Sequence, residues 1–506
     1  MLKKIFLPIV VLLVVLLPLN QSAEASLLGR LFKPSVKVAP LTSTVPLNKD
    51  GIHEAKADDG STIFLYRYAP YNPKGKPEFR TNGTPIVLFT GITMNMNQYL
   101  SCTPPGMERA YRDVYVPPVK DAPAWALTKN KKDYEPYIKE DKMRYYSLAH
   151  YLWLEGYDPW FVNYRGTGRG LVQSKGTNPD GITTLDTWAT QDTPAAIAKV
   201  HQVTGKNMYI GGHSTGGLVC YDYLQGAYMD SGSAKTDRAK EAYYRLCYAL
   251  GFMPHVKASS DLAVERNNMI KGFIGIDPAG VPDLPVTLLN TTPFWTLVGS
   301  RLFLPLDSVS DNLIQLFPSK PLVGIVEGLF GLVNLASSGN SIINNFFGYL
   351  NFWVVENMDP CLEDWTVRYA VGSAPIRGFG HYMDMGLNYT LREHYLNGKE
   401  NYLSPKLIAG VAGPRPKDGY YYYSDNDNMA RMSVPAIVFS NGTGSLVSFD
   451  ETKNFLMEKK TKTKYDEQYG VEGSGHFDLA MGLEMPAKGG MFEKLGAWLE
   501  KVETQH

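Results

Sequence analysis

The chain has 506 residues, and its 50 Lys and Arg balance 50 Asp and Glu, so the formal charge is zero. That balance excludes the basic field that recruits nucleic acid, and 44% hydrophobic with 20% charged residues excludes a disordered chain. The length exceeds the roughly 100–150 residues of a typical domain, which predicts a large insertion or a second domain.

Lys3 and Lys4 precede an apolar run from Ile5 to Leu19, followed by Ala23-Glu24-Ala25. A charged start, an apolar run and a small-x-small site make residues 1–25 an export leader cleaved after Ala25. The alternative is an uncleaved N-terminal anchor, but the run carries Pro8 and Pro18 and falls short of the ~20 residues of a spanning helix. The mature chain is then periplasmic or secreted. Residues 26–60 read as an arm or linker.

Apolar strands follow, alternating with helices. Strands are predicted over Thr62–Tyr68 and Pro85–Phe89, the second ending in Thr90-Gly91-Ile92-Thr93. Residues 101–140 read as an excursion loop, and a helix carries Leu148, Leu152 and Leu154. A strand over Tyr157–Tyr164, a helix over Trp188–Val203 and a strand over Asn207–Gly212 come next. A helix over Gly216–Met229 and a helical excursion to Asn268 precede the strand Met269–Ile276. Residues 284–401 break the pattern and read as an apolar, mainly helical cap. Strands over Val434–Phe439 and Lys464–Tyr469 and a helix over Gly489–Val502 close the chain. The alternation predicts an α/β fold with a mostly parallel central sheet covered on both faces. Its core is split into residues 61–283 and 402–506.

Gly212-His213-Ser214-Thr215-Gly216 matches G-x-S-x-G between an apolar strand and an apolar helix. A serine on that strained turn needs small neighbours, and Ser214 becomes the candidate nucleophile. A hydroxyl needs a base. Of nine histidines, His476 in Gly475-His476-Phe477-Asp478 lies in a small-residue loop before the closing helix, where the order serine, acid, histidine puts the base. His213 is expected to point away, and His381 reads as structural. The acid is less plain, because Ser445 stands in the loop after strand Val434–Phe439 where an Asp is expected, and serine carries no charge. Asp277, ending the neighbouring strand, is the preferred acid, and Asp450 the alternative. The oxyanion hole is assigned to the amides of Thr215 and Ile92, with Thr93 next in line.

These residues resemble the α/β-hydrolase superfamily, and within it the gastric and lysosomal acid lipases. Asn163-Tyr164-Arg165-Gly166 is similar to that group's strand-end turn, Asp192-Thr193-Pro194-Ala195 to its helix, and Gly475-His476-Phe477-Asp478 to its histidine loop. The absent acid at Ser445 and a cap that matches nothing depart from the pattern. The style of Asp277-Pro278-Ala279 looks like that of pancreatic-type lipases.

The resemblance implies a lipase or carboxylesterase working through an acyl-enzyme, without metal or organic cofactor, and the leader implies that it is exported. The apolar cap favours a lipid or other apolar ester as partner, with peripheral contact at a lipid interface. The alternatives are an acyltransferase with the same triad and a non-catalytic binding protein on a hydrolase fold. Cys102, Cys220, Cys247 and Cys361 have no zinc spacing, and both disulfides and buried thiols are compatible with them. Chain-length preference and oligomeric state leave no mark on the sequence.

Overall fold

The computed structural model describes residues 47–72, 75–168, 172–174, 183–249, 253–281, 303–304, 354–372, 374–387, 390–393, 421–443 and 447–504. The expected leader, most of the expected cap and Ser445 lie outside the described residues.

Eight strands form one sheet. They are β1 (Ile52–Lys56), β2 (Thr62–Arg67), β3 (Pro85–Phe89), β4 (Asp158–Asn163), β5 (Met208–His213), β8 (Ile270–Ile276), β11 (Ala436–Asn441) and β12 (Glu467–Val471). Two short antiparallel pairs take the remaining numbers: β6 (Ala227–Met229) with β7 (Val256–Ala258), and β9 (Phe303–Leu304) with β10 (Ala374–Pro375). The large sheet is ordered β1-β2-β4-β3-β5-β8-β11-β12. Only β2 runs against the rest.

The apolar runs read as buried strands because both of their faces are covered. Ile86 and Leu88 face one hydrophobic cluster, and Val87 and Phe89 face the other. Helices α1 (Leu148–Leu154) and α8 (Met491–Glu503) pack on the first face through Leu148, Leu152, Leu495 and Trp498. Helices α2 (Thr193–Thr204) and α3 (Thr215–Leu224) pack on the second through Ile197, Val200, Leu218 and Val219. The expected mostly parallel sheet, with helices on both faces, is present. Among the described residues no helix is long and apolar enough to cross a membrane.

Some elements differ from the expectation. Strand β1 lies inside the stretch read as an arm; its polar Glu54 and Lys56 disguise an edge strand with Ala55 buried. The helix expected to reach Met229 stops at Leu224, where Gly226 takes a positive φ of 75° and β6 begins. The following excursion holds α4 (Asp237–Ala249) and α5 (Ser260–Met269) around β7. All four cysteines are free thiols.

The described parts of residues 284–401 include α6 (Pro360–Trp365) and α7 (Ile376–Leu387). Several of their side chains are buried against the body. Trp365, Leu362 and Tyr369 share a cluster with Tyr111 from the excursion after β3 and with Met143 and Tyr146 just beyond it. Tyr382 and Met385 join the cluster beside α3.

Candidate active site

β4 lies on one side of β3 and β5 on the other, so the connections diverge there. A crevice at the carboxyl ends of the strands is expected at such a switch point. It is where Gly91, after β3, meets Ser214, after β5: a Cβ on Gly91 would lie 3.2 Å from that of Ser214.

Ser214 has φ 56° and ψ −128°, a strained conformation for any residue but glycine. The turn is imposed by close packing. A Cβ on Gly216 would sit 2.4 Å from the Phe89 carbonyl, and one on Gly217 2.5 Å from Cβ of Pro278. Helix α3 can therefore abut β3 and the end of β8 only if those positions are glycine. The Ser214 amide donates to the Ile276 carbonyl at 3.1 Å, and its own carbonyl accepts from Ala279 at 2.9 Å. Ser214 is 8% exposed and, among the described residues, its side chain makes no hydrogen bond. Strand order, the reversed β2 and a strained serine between β5 and α3 are those of the α/β-hydrolase fold.

His476 and Asp277 are brought together. His476 Nδ1 lies 2.5 Å from Asp277 Oδ2. A carboxylate only accepts, so Nδ1 carries the proton, leaving Nε2 as the basic nitrogen. Asp277 is fully buried and takes a φ of 45° just past β8. Its amide donates to the Phe439 carbonyl at 2.7 Å, and its carboxylate accepts from the amide and side chain of Asn441, at 3.0 and 2.7 Å. Asp450 sits apart, exposed in the first turn of a short helix.

His213 does not merely pack. Its Nε2 donates to the His476 carbonyl at 2.7 Å, and the two rings lie 4.6 Å apart. Burial, with a smaller contribution from the adjacent His476 ring, holds His213 well below the usual histidine range. Tyr99 ties the strand ends by donating to the Phe89 carbonyl at 2.8 Å and accepting from the His213 amide at 3.0 Å. His381 is buried, with Nε2 donating to the Arg392 carbonyl at 2.9 Å.

The two assigned oxyanion amides differ in origin. Thr215 is the first residue of α3, so its N–H has no helical partner. Ile92 sits inside a turn closed by the Met94 amide on the Gly91 carbonyl at 3.1 Å, which leaves the Ile92 and Thr93 amides unbonded among the described residues. The Thr93 carbonyl accepts from Gly372 at 2.9 Å.

Three supporting residues are given no role by the sequence reading. Asn441 holds Asp277. Asp478 accepts from the Gly475 amide at 2.8 and 2.9 Å, and from Asn357 at 2.6 Å, which fixes the histidine loop. Asn95 donates to carbonyls of the segment after α6. Of these, only Asp478 has a signal, as the last member of Gly475-His476-Phe477-Asp478. Arg165, in the strand-end turn, is fully buried between Asp59 and Asp192, reaching Asp192 at 2.5 and 2.8 Å. Among the described residues no cluster of histidine, cysteine and acidic side chains could hold a metal ion.

No family model matches this chain, and no curated protein does. Among solved structures it is similar to a soluble variant of monoglyceride lipase from Saccharomyces cerevisiae in complex with a substrate analogue. The identity is 12%, over 91% of this chain and 99% of that one, with a TM-score of 0.41. A thermophilic esterase from Thermogutta terrifontis has 12% identity over 89% and 98%, with a TM-score of 0.36. A bacterial membrane phospholipase A has 11% identity over 99% of each chain, with a TM-score of 0.39. At scores this low the fold assignment rests on this chain's own strand order and turn.

Proposed function

We propose that this chain is a serine hydrolase that cleaves carboxylic esters through an acyl-enzyme. The observation that carries the reading is the 2.5 Å contact of His476 Nδ1 with buried Asp277, beside a serine in a strained strand-to-helix turn. Ser214 attacks the ester carbonyl and its proton passes to His476 Nε2. Asp277 holds the ring in the required tautomer and stabilises the imidazolium that forms. The tetrahedral oxyanion is met by the amides of Thr215 and Ile92. The leaving alcohol takes the proton from His476, and water then attacks the acyl-enzyme by the same route in reverse.

The finer reading is an exported lipase-type esterase. The leader-like residues 1–25, the likeness to the gastric and lysosomal acid lipases and the apolar character of residues 284–401 support it. An apolar wall gains free energy by excluding water from an acyl chain, and the same wall is the part that would touch a lipid interface. The test is hydrolysis of p-nitrophenyl butyrate and palmitate by the unmutated protein and Ser214→Ala, with the palmitate rate deciding between lipase and esterase. Turnover that survives in Ser214→Ala contradicts the reading.

A further inference from the structure

Parallel pairing of β8 with β11 sets Ile276 opposite Phe439. One step further, Asp277 leaves β8 beside the end of β11, where Asn441 is the last residue. Sheet register therefore decides what meets the carboxylate. Asn441 is 3% exposed and grips both oxygens, with its amide on Oδ1 at 3.0 Å and its Nδ2 on Oδ2 at 2.7 Å. Oδ2 is the oxygen that faces His476.

The grip is itself held. Asn441 Nδ2 also donates to the Val447 carbonyl at 3.1 Å, and Asn441 Oδ1 accepts from the Thr443 hydroxyl at 2.9 Å. One donor to each oxygen fixes the plane of a carboxylate whose terminal torsion is otherwise broad. An asparagine also does what an aspartate there could not. A second carboxylate at 2.7 Å would share one proton with Asp277 and change the charge that His476 meets.

We infer that Asn441 is the positioning residue of the acid–base pair, setting the orientation of Asp277 and keeping a second negative charge away from it. This rests on the serine-hydrolase reading above. Asn441 touches no reacting atom and acts through Asp277.

The test measures the rate at which a fluorophosphonate probe labels the protein across pH 5 to 9, with Ser214→Ala as the control. Asn441→Leu removes the side-chain donor at similar volume and is expected to slow labelling about 10- to 100-fold, as misplacement near the reacting atoms does. Asn441→Asp keeps the shape but replaces the donor with a carboxyl that shares one proton with Asp277; labelling is expected to slow about 10-fold below the pH at which that proton is lost, which changes the shape of the profile. Asn441→Asp is isosteric and keeps the test open if Asn441→Leu fails to fold. If every variant that folds labels at the unmutated rate and pH profile while Ser214→Ala stays unlabelled, the positioning role is overturned and the hydrolase reading stands. An unmutated protein that never labels overturns both.

Discussion

The side chain of Asn95 donates to the carbonyls of Tyr369 and Val371, at 2.8 and 3.1 Å, joining the loop after β3 to a segment far along the chain. The Asn95 amide adds a bond to the Ala370 carbonyl at 2.8 Å, and Asn97 Nδ2 donates to the Tyr369 carbonyl at 2.9 Å. The turn carrying Ile92 is thus braced from outside, before any substrate arrives. Replacing Asn95 by Ala should lower kcat by about 10- to 100-fold with little change in KM, since a misaligned oxyanion donor acts on the transition state. Steady-state hydrolysis of p-nitrophenyl butyrate measures it.

His213 couples the Ser214 turn to the loop of His476 through its 2.7 Å bond to the His476 carbonyl. His213→Phe retains a ring and loses the donor. It should reduce kcat by about tenfold and free the loop, visible as faster amide exchange at Gly475 and His476. Unchanged exchange would mean that the loop is held by Asp478 and Asn357 alone.

Acid should destabilise the fold through buried histidines. Burial pushes His381 down to about 4. Unfolded, it titrates near 6.5. Between those values the unfolded chain binds more protons, so stability is lost as pH falls from about 6.5 to about 4. The contribution of His381 is about 3 kcal/mol at full neutrality. In His381→Gln, which does not titrate, Tm should fall less steeply over that window; an equal slope in both proteins would refute the assignment.

Gly217 spaces α3 from the end of β8 beside Asp277, as a Cβ there would lie 2.5 Å from Cβ of Pro278. Gly217→Ala must displace Pro278, next to Asp277. Overpacking of this kind costs about 1–3 kcal/mol. A folded variant should also lose about 100-fold in kcat. Urea denaturation with kinetics on the same sample separates the two effects.

The legible part of this protein is local. Ser214 stands out through glycines at fixed offsets between an apolar strand and an apolar helix. His476 follows from chain order and a small-residue loop. Asp277 follows from its place at a strand end, and the structure sets it against His476. What stays hidden depends on register and distance. Asn441 meets Asp277 only because β8 pairs with β11 in one alignment, and an asparagine in a polar turn carries no mark of that. Asn95 and Tyr369 lie far apart in sequence and meet through backbone carbonyls, which any residue supplies. Strand β1 is hidden for a different reason: an edge strand with polar residues lacks the apolar pattern that betrays the central ones.

The most direct measurement compares Asp277→Asn with Asp450→Asn for kcat on p-nitrophenyl butyrate. Asp277→Asn should favour the wrong histidine tautomer and cost about 10⁴ in kcat, while Asp450→Asn, at an exposed site, should stay near the unmutated rate. An unchanged rate in Asp277→Asn, or a lost one in Asp450→Asn, would contradict the arrangement of Ser214, His476 and Asp277 at its least conventional point.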